Sequence, residues 1–242
     1  DHRRDPRRGP EPDHPRAVSA GRGRFVVLEG GDGVGKTTQL PRLVAALERQ
    51  GHVVRAIREP GGTAAGDAIR ALLLDPATAL VPAAELLLFL AARAQVVADV
   101  VRPALARGEW VVADRFFVST YAYQAGGHGL DLAQVRVATT LATGGLVPDL
   151  TLVLRLDAAA AAARRTARGD ADRMERHGAP FAARVAAAYE AALDPAWQAR
   201  HPECGRLVGI DADAPAEGVT TRLLDAIAGA VGERPAPSAT LT

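Results

Sequence analysis

The sequence lacks most of what would assign it to a specialised class. Of its 242 residues one is cysteine, Cys204, so no intramolecular disulfide can form and a reducing cytoplasm is the expected location. Neither sign of charge is in excess. The net charge of +1 gives no overall drive toward nucleic acid or an acidic membrane. Long apolar runs are missing too: the most apolar stretch, Glu85 to Val101, is interrupted by Arg93, Gln95 and Asp99, and no membrane-spanning helix can be built from it. The histidines His2, His14, His52, His128, His177 and His201 show no metal-ligand spacing, and no chemistry is assigned to them. Lysine is the scarcest cation, because Lys36 is the only lysine among 29 Lys plus Arg. In so arginine-rich a chain a lone compact ammonium marks a place where a planar guanidinium does not serve, with simple drift as the plain alternative.

What is present is apolar and periodic. At 48% apolar residues the chain can bury one sizeable core. One domain is expected over 24–232. Residues 1–23 form a basic, Pro-rich tail with too little apolar surface to offset the entropy of ordering, and a Pro/Ser/Thr tail covers 233–242.

The domain opens on Arg24-Phe25-Val26-Val27-Leu28-Glu29, a short β-branched and aromatic run that reads as a buried strand. Gly30-Gly31-Asp32-Gly33-Val34-Gly35-Lys36-Thr37-Thr38 follows. The spacing G-x-x-x-x-G-K-T is a phosphate-binding loop. Glycines let backbone N–H groups curl around oxyanions, and the following helix offers its positive end. Lys36 reaches the outer phosphates and Thr37 offers its hydroxyl to Mg²⁺. A helix is expected from Gly35 to Gln50, with Leu40, Leu43, Val44 and Leu47 on one face and a kink or shifted start at Pro41.

A second strand, His52 to Arg58, runs into Arg58-Glu59-Pro60-Gly61-Gly62-Thr63, a loop at a carboxyl strand end, where open α/β sheets bind ligands. Leu80 to Leu105 reads as one long helix, apolar nearly all round at 86–90, which implies burial on more than one side and fits a core helix that also packs against a partner subunit. Phe89 and Arg93 share one of its faces; core packing with a snorkelling arginine is the competing reading. A third strand, Glu109 to Arg115, closes on Asp114, the pattern of a carboxylate that reaches Mg²⁺. Further elements are a helix from Leu130 to Gly144, a strand from Asp149 to Leu156, a helix from Phe181 to Leu193, a strand from Gly205 to Asp211 and a helix from Glu217 to Val231. Between them, about 157–180, an alanine run gives way to Arg164, Arg165, Arg168, Arg173 and Arg176. This is either a solvated helix face or a mobile lid whose arginines close over phosphates. Strands separated by crossover helices give an α/β, three-layer P-loop fold: a five-stranded parallel sheet with helices on both faces.

Taken together, the phosphate loop with Asp32, Arg58-Glu59-Pro60-Gly61-Gly62-Thr63, and Asp114-Arg115-Phe116-Phe117-Val118-Ser119-Thr120-Tyr121-Ala122-Tyr123-Gln124 resemble thymidylate kinase, a P-loop nucleoside monophosphate kinase family, over about 25–232. The resemblance implies transfer of a phosphoryl group from ATP to dTMP with Mg²⁺, and a homodimer through the helix at 80–105. It implies that Phe89 stacks on thymine and Arg93 bonds the base edge. Arg115 would clamp the monophosphate, Tyr123 would abut the deoxyribose, and Asp32 would lie near the sugar 3′-hydroxyl and the metal shell. Arg58, Glu59, Pro60, Ser119, Thr120 and Gln124 complete the dTMP site, Asp211 and Ala212 lie beside adenine, and Thr37 and Asp114 serve the metal. Some relatives carry a basic residue inside the phosphate loop. This loop has none, so the missing charge is expected from the lid, through Arg168 or Arg173. Another monophosphate specificity, a silent nucleotide-binding module and a GTP switch are the rivals. The last lacks a second lysine for an Asn-Lys-x-Asp loop.

Overall fold

The computed structural model describes residues 23–168, Arg173 and residues 177–231. Of the tails expected at 1–23 and 233–242 only Gly23 is described, and it is buried, its N–H donating to Leu105 O at 3.0 Å; the rest of both tails and the lid residues 169–172 and 174–176 lie outside the described residues.

Five strands, β1 (Phe25–Glu29), β2 (Val54–Arg58), β3 (Trp110–Asp114), β4 (Leu150–Arg155) and β5 (Leu207–Asp211), form one sheet in the order β2-β3-β1-β4-β5. Every pairing is parallel, with Phe25 opposite Val111 on one side of β1 and Val26 opposite Leu150 on the other. β1 is buried throughout because it is central and covered on both faces, which is why it reads as a continuous apolar run. Its side chains alternate between two cores. Phe25 and Val27 join the layer containing Leu90, Val96, Phe117 and Val185, whereas Val26 and Leu28 join Leu43, Leu47 and Leu223.

The second layer is built by α1 (Lys36–Arg49) and the last helix, Ala216–Val231. Leu43 and Leu47 of α1 are fully buried, so truncating either to alanine costs about 2–5 kcal/mol. α1 stays helical through Pro41, so the proline does not delay its start. Both Pro41 and Thr37, whose carbonyl loses its partner, are exposed, so water can satisfy the freed group.

On the other face lie α2 (Ala64–Leu74), α3 (Pro82–Val96) and α4 (Arg102–Ala106), with a π-helical turn at Val97–Val101 joining the last two. The helix expected over 80–105 is thus continuous but widened in the middle. Pro103 cannot donate to the carbonyl of Asp99, and a local π register absorbs that mismatch. α2 was not expected; Thr63 caps it by accepting from the Gly66 N–H at 3.0 Å. α5 (Phe117–Thr120) runs into a second π-helical segment, Tyr121–Gly127, followed by α6 (Leu132–Thr143). After β4 come α7 (Ala158–Arg168), α8 (Ala179–Ala192) and a short α9 (Pro195–Arg200); the helix over Ala216–Val231 is α10.

Candidate active site

The carboxyl ends of β1, β2 and β3 point their loops toward one another, and the loops enclose a cavity of about 810 Å³, large enough for nucleotides.

The floor is the phosphate loop. Gly30 and Gly33 have φ of +132° and +86°, and a Cβ at Gly33 would meet the Ala161 carbonyl of α7 at 2.3 Å, so only glycine fits there. Lys36 is buried, and its Nζ donates to the carbonyls of Gly30 and Gly31 at 2.7 and 2.8 Å. Burial, with the nearby Arg115 guanidinium, pushes its ammonium down to about 8, a preorganised charge that a polyanion would stabilise.

At the end of β3, Arg115 is the one non-glycine residue with positive φ, +78°, among the described residues. This sparsely populated backbone, of the kind held in place at functional sites, turns the side chain back over the loop. Its Nη1 donates to Gly30 O, Ser119 Oγ and Tyr189 Oη at 3.3, 3.1 and 3.3 Å. Nη2 donates to Asp32 and to Tyr123 Oη, the latter at 3.3 Å. Tyr123 in turn donates to Asp32 Oδ2 at 2.6 Å. Burial would raise the Asp32 carboxyl, but Arg115, Lys36 and Tyr123 outweigh it and hold the group below the usual range. Burial and Asp32 raise the Tyr123 phenol, so it stays a neutral donor.

Beneath this cluster sits Glu29, fully buried at the end of β1. It accepts from the N–H groups of Phe116 and Ser119 at 2.8 and 3.0 Å, from Ser119 Oγ and from Tyr189 Oη at 3.0 Å. Sequence reasoning missed Glu29 and Tyr189 as supports of Arg115. The available signal was a charged residue closing a wholly buried strand, which must find partners.

The far wall joins β2 to α3. Arg93 is 2% exposed and donates Nε to Glu59 Oε2 at 2.6 Å, Nη1 to Thr120 Oγ1 at 2.8 Å and Nη2 to Phe116 O at 2.9 Å. It is neither snorkelling nor apolar packing. Three of its five N–H groups are spent, and two remain for the cavity it lines. Burial raises the Glu59 carboxyl despite the Arg93 charge, and the Glu59–Pro60 peptide is cis.

The cavity is lined by Asp32, Gly33, Val34, Gly35, Lys36, Thr37, Thr38, Arg58, Glu59, Pro60, Phe89, Arg93, Asp114, Arg115, Ser119, Thr120, Tyr123, Gln124 and Ala212, all expected from the sequence. Four expectations fall elsewhere. Gly30 and Gly31 lie behind the loop, their carbonyls taken by Lys36. Asp211 is not in the wall: its carboxylate accepts from Arg222 at 2.9 Å and is 63% exposed. Arg173 does not line the cavity either, because its guanidinium donates to Leu73 O and Glu85 Oε2, both at 2.7 Å. The Arg168 side chain lies outside the described residues. Arg164 and Arg165 stand nearest the loop instead. Arg165 donates to Asp32 O at 3.0 Å, and Arg164, a cavity residue, donates to Ala212 O at 3.5 Å. Both lie one helical turn beyond Ala161, whose carbonyl lies against Gly33, a placement the sequence alone does not give. Arg70 and Leu74 of the unexpected α2, with Gln39, Ala214, Ala216 and Val219, complete the lining.

Mg²⁺ can be tested against this donor set. Asp114 is 5% exposed, and its Oδ1 is buried with no hydrogen-bond partner among the described residues. Such an orphaned carboxylate oxygen, with the Thr37 hydroxyl in the same cavity, suits a hard cation.

Comparison with known proteins gives the family. The family described as Thymidylate kinase matches residues 28–199. The thymidylate kinase of Deinococcus radiodurans is 44% identical over 205 residues, which covers 85% of this chain and 96% of that protein. Those of Desulforudis audaxviator and Chromohalobacter salexigens are 52% and 48% identical, over 69% and 81% of this chain and 76% and 91% of their own lengths.

Proposed function

The chain belongs to the thymidylate kinase family, and on that premise we propose how its residues transfer a phosphoryl group from ATP to dTMP, giving ADP and dTDP. The observation that carries the assignment of roles is the meeting of three separate strand ends, with Lys36, Arg115 and Arg93, around one cavity.

The acceptor phosphate, with a second pKa near ~6, is already dianionic at neutral pH. No general base is required. The chemical demand is to bring two polyanions together in line and to stabilise the charge that spreads over the transferring group. Lys36 and the loop N–H groups hold the donor phosphates. Arg115, oriented by Asp32, Ser119, Tyr123 and Tyr189, holds the acceptor phosphate. Arg164 and Arg165 bring further positive charge to the loop. Phe89 and Arg93 receive the base with Gln124 and Thr120, and the Tyr123 ring bounds the sugar. Arg58, Glu59, Pro60 and Ser119 close that side, and Ala212 faces the adenine. Thr37 and Asp114 would hold Mg²⁺, which would neutralise charge on the phosphates.

We also propose a homodimer. Leu87 of α3 and Val137 and Leu141 of α6 are 63%, 70% and 83% exposed on two helices that pack together, a paired apolar face of the kind that associates. The cytoplasm is the proposed location, supported by the single buried cysteine. None of the described helices is long and apolar enough to cross a membrane.

Coupled measurement of ADP release against a panel of nucleoside monophosphates tests the proposal. dTMP should give the highest kcat/KM. Preference for another monophosphate overturns the assignment of the base wall, and ATP binding without turnover identifies a silent module.

A further inference from the structure

Glu85, the one carboxylate of α3, stands outside the cavity lining, yet three side chains converge on it. It is 1% exposed and precedes Phe89 and Arg93 at helical spacing, so it shares their face. Its Oε1 accepts from Gln124 Nε2 at 3.0 Å and lies 3.0 Å from His128 Nε2, and its Oε2 accepts from Arg173 at 2.7 Å. Glu85, His128 and His177 also bring ligand atoms within 4.8 Å of one another. The Arg173 guanidinium already supplies a positive charge on that carboxylate, so the cluster is a hydrogen-bond hub and not a vacant cation site.

The hub dictates which way a cavity amide faces. Burial would raise the Glu85 carboxyl, but the hydrogen bonds from His128, Arg173 and Gln124 outweigh it and hold it at about 2. An ionised carboxylate only accepts. Gln124 must therefore turn its NH₂ toward Glu85, and its carbonyl oxygen is left with no hydrogen bond to the described residues, in a side chain that lines the cavity.

We propose that Glu85 is a positioning residue for base selection: by locking the Gln124 amide it presents an acceptor to the cavity, which suits a pyrimidine with a ring N–H and disfavours one with a ring lone pair. Thymine and uracil carry an imide N–H at N3. Cytosine carries a lone pair there, which would face the Gln124 oxygen with no proton between them. A site built to bond a donor rejects the analogue lacking it strongly, because its own polar group is left unpaired. Glu85→Gln removes the lock, since an amide at 85 can offer either C=O or NH₂ and Gln124 can then turn over. The inference rests on the kinase reading above.

The experiment compares kcat/KM for dTMP, dUMP and dCMP in the wild type, Glu85→Gln and Gln124→Leu. In Glu85→Gln the dTMP:dCMP ratio should fall about tenfold or more, while dTMP:dUMP stays within twofold, because both of those bases keep the imide. Gln124→Leu, which leaves His128 and Arg173 on Glu85, should lower the dTMP:dCMP ratio as well, and adding Glu85→Gln to it should lower that ratio no further. A Glu85→Gln enzyme that loses all three substrates by one factor shows a structural role only and overturns the proposal. An unchanged dTMP:dCMP ratio in Gln124→Leu overturns it even where Glu85→Gln fails to fold. A wild type that does not phosphorylate dTMP defeats the kinase reading instead, whatever the variants do.

Discussion

Replacing Arg115 with lysine keeps the positive charge and removes the fork. The guanidinium bridges two groups of acceptors: Gly30, Ser119 and Tyr189 through Nη1, and Asp32 and Tyr123 through Nη2. Its carbon also lies 5.0 Å over the Tyr123 ring. A lysine ammonium is a single nitrogen and can serve one side only. The positive-φ backbone is equally unfavourable for either residue, so the difference isolates the head group. Because the Arg115 and Asp32 side chains are 20% and 25% exposed, solvent screens part of the pair, and the loss in folding stability should be modest, about 1–2 kcal/mol. Turnover should suffer far more, since the lost donors were preorganised around the reacting phosphate: kcat falls about 10²-fold, with a smaller rise in the KM for dTMP. Steady-state ADP release at saturating ATP, beside a melting curve, measures both. An Arg115→Lys enzyme within threefold of the wild-type kcat would refute the reasoning.

The same geometry constrains three other experiments. Lys36 sits near 8 in the free protein and should return toward its ordinary value against a polyphosphate. ATP binding at pH 8 should therefore take up about half a proton, and almost none at pH 6.5 from this group; calorimetry in buffers of different ionisation heat reads this, and Lys36→Met should abolish it. Arg165→Ala and Arg164→Ala should each lower kcat by about tenfold or more, whereas Arg173→Ala, whose partners are Leu73 and Glu85, should change the KM for dTMP more than kcat; the reverse pattern would return the catalytic role to Arg173. Tyr123→Phe should cost about tenfold in kcat, because the phenol donates to Asp32 at 2.6 Å. Tyr123→Ala should in addition narrow the preference for dTMP over ribothymidine monophosphate by about tenfold to a hundredfold, and an equal loss on both substrates would make the tyrosine a packing residue only.

The inner strands and the residues at their carboxyl ends were legible because burial on both faces writes them as short apolar runs ended by glycine or charge. Phe25 to Glu29 and Trp110 to Asp114 are cases in point. The cavity wall followed from the same signal. What was illegible depends on contacts between distant segments. α2 escaped notice because its start looked like a continuation of the Gly61-Gly62 turn, although Thr63 caps it. The segment after Arg115 read as a run of aromatics, since no sequence period marks an α-helix that widens into a π-helix at Tyr121. The arginine run announced its charge without its geometry. Only the packing of Ala161 on Gly33 shows that Arg164 and Arg165 face the loop while Arg173 turns to Glu85. Glu29 and Glu85 were hidden because a buried carboxylate is explained by partners 39 to 160 residues away.

The central claim is that phosphoryl transfer occurs at this loop and is driven by charges held in place there, of which Lys36 is the most deeply committed. The measurement that bears on it most directly is turnover of Lys36→Ala alongside its affinity for dTMP by calorimetry. Removing a preorganised charge from the transferring group should lower kcat by at least ~10²-fold. The dTMP dissociation constant should stay within about threefold, because the base and sugar contacts come from other strands. A mutant that turns over within threefold of wild type, or one that loses dTMP binding as completely as it loses turnover, would contradict the account.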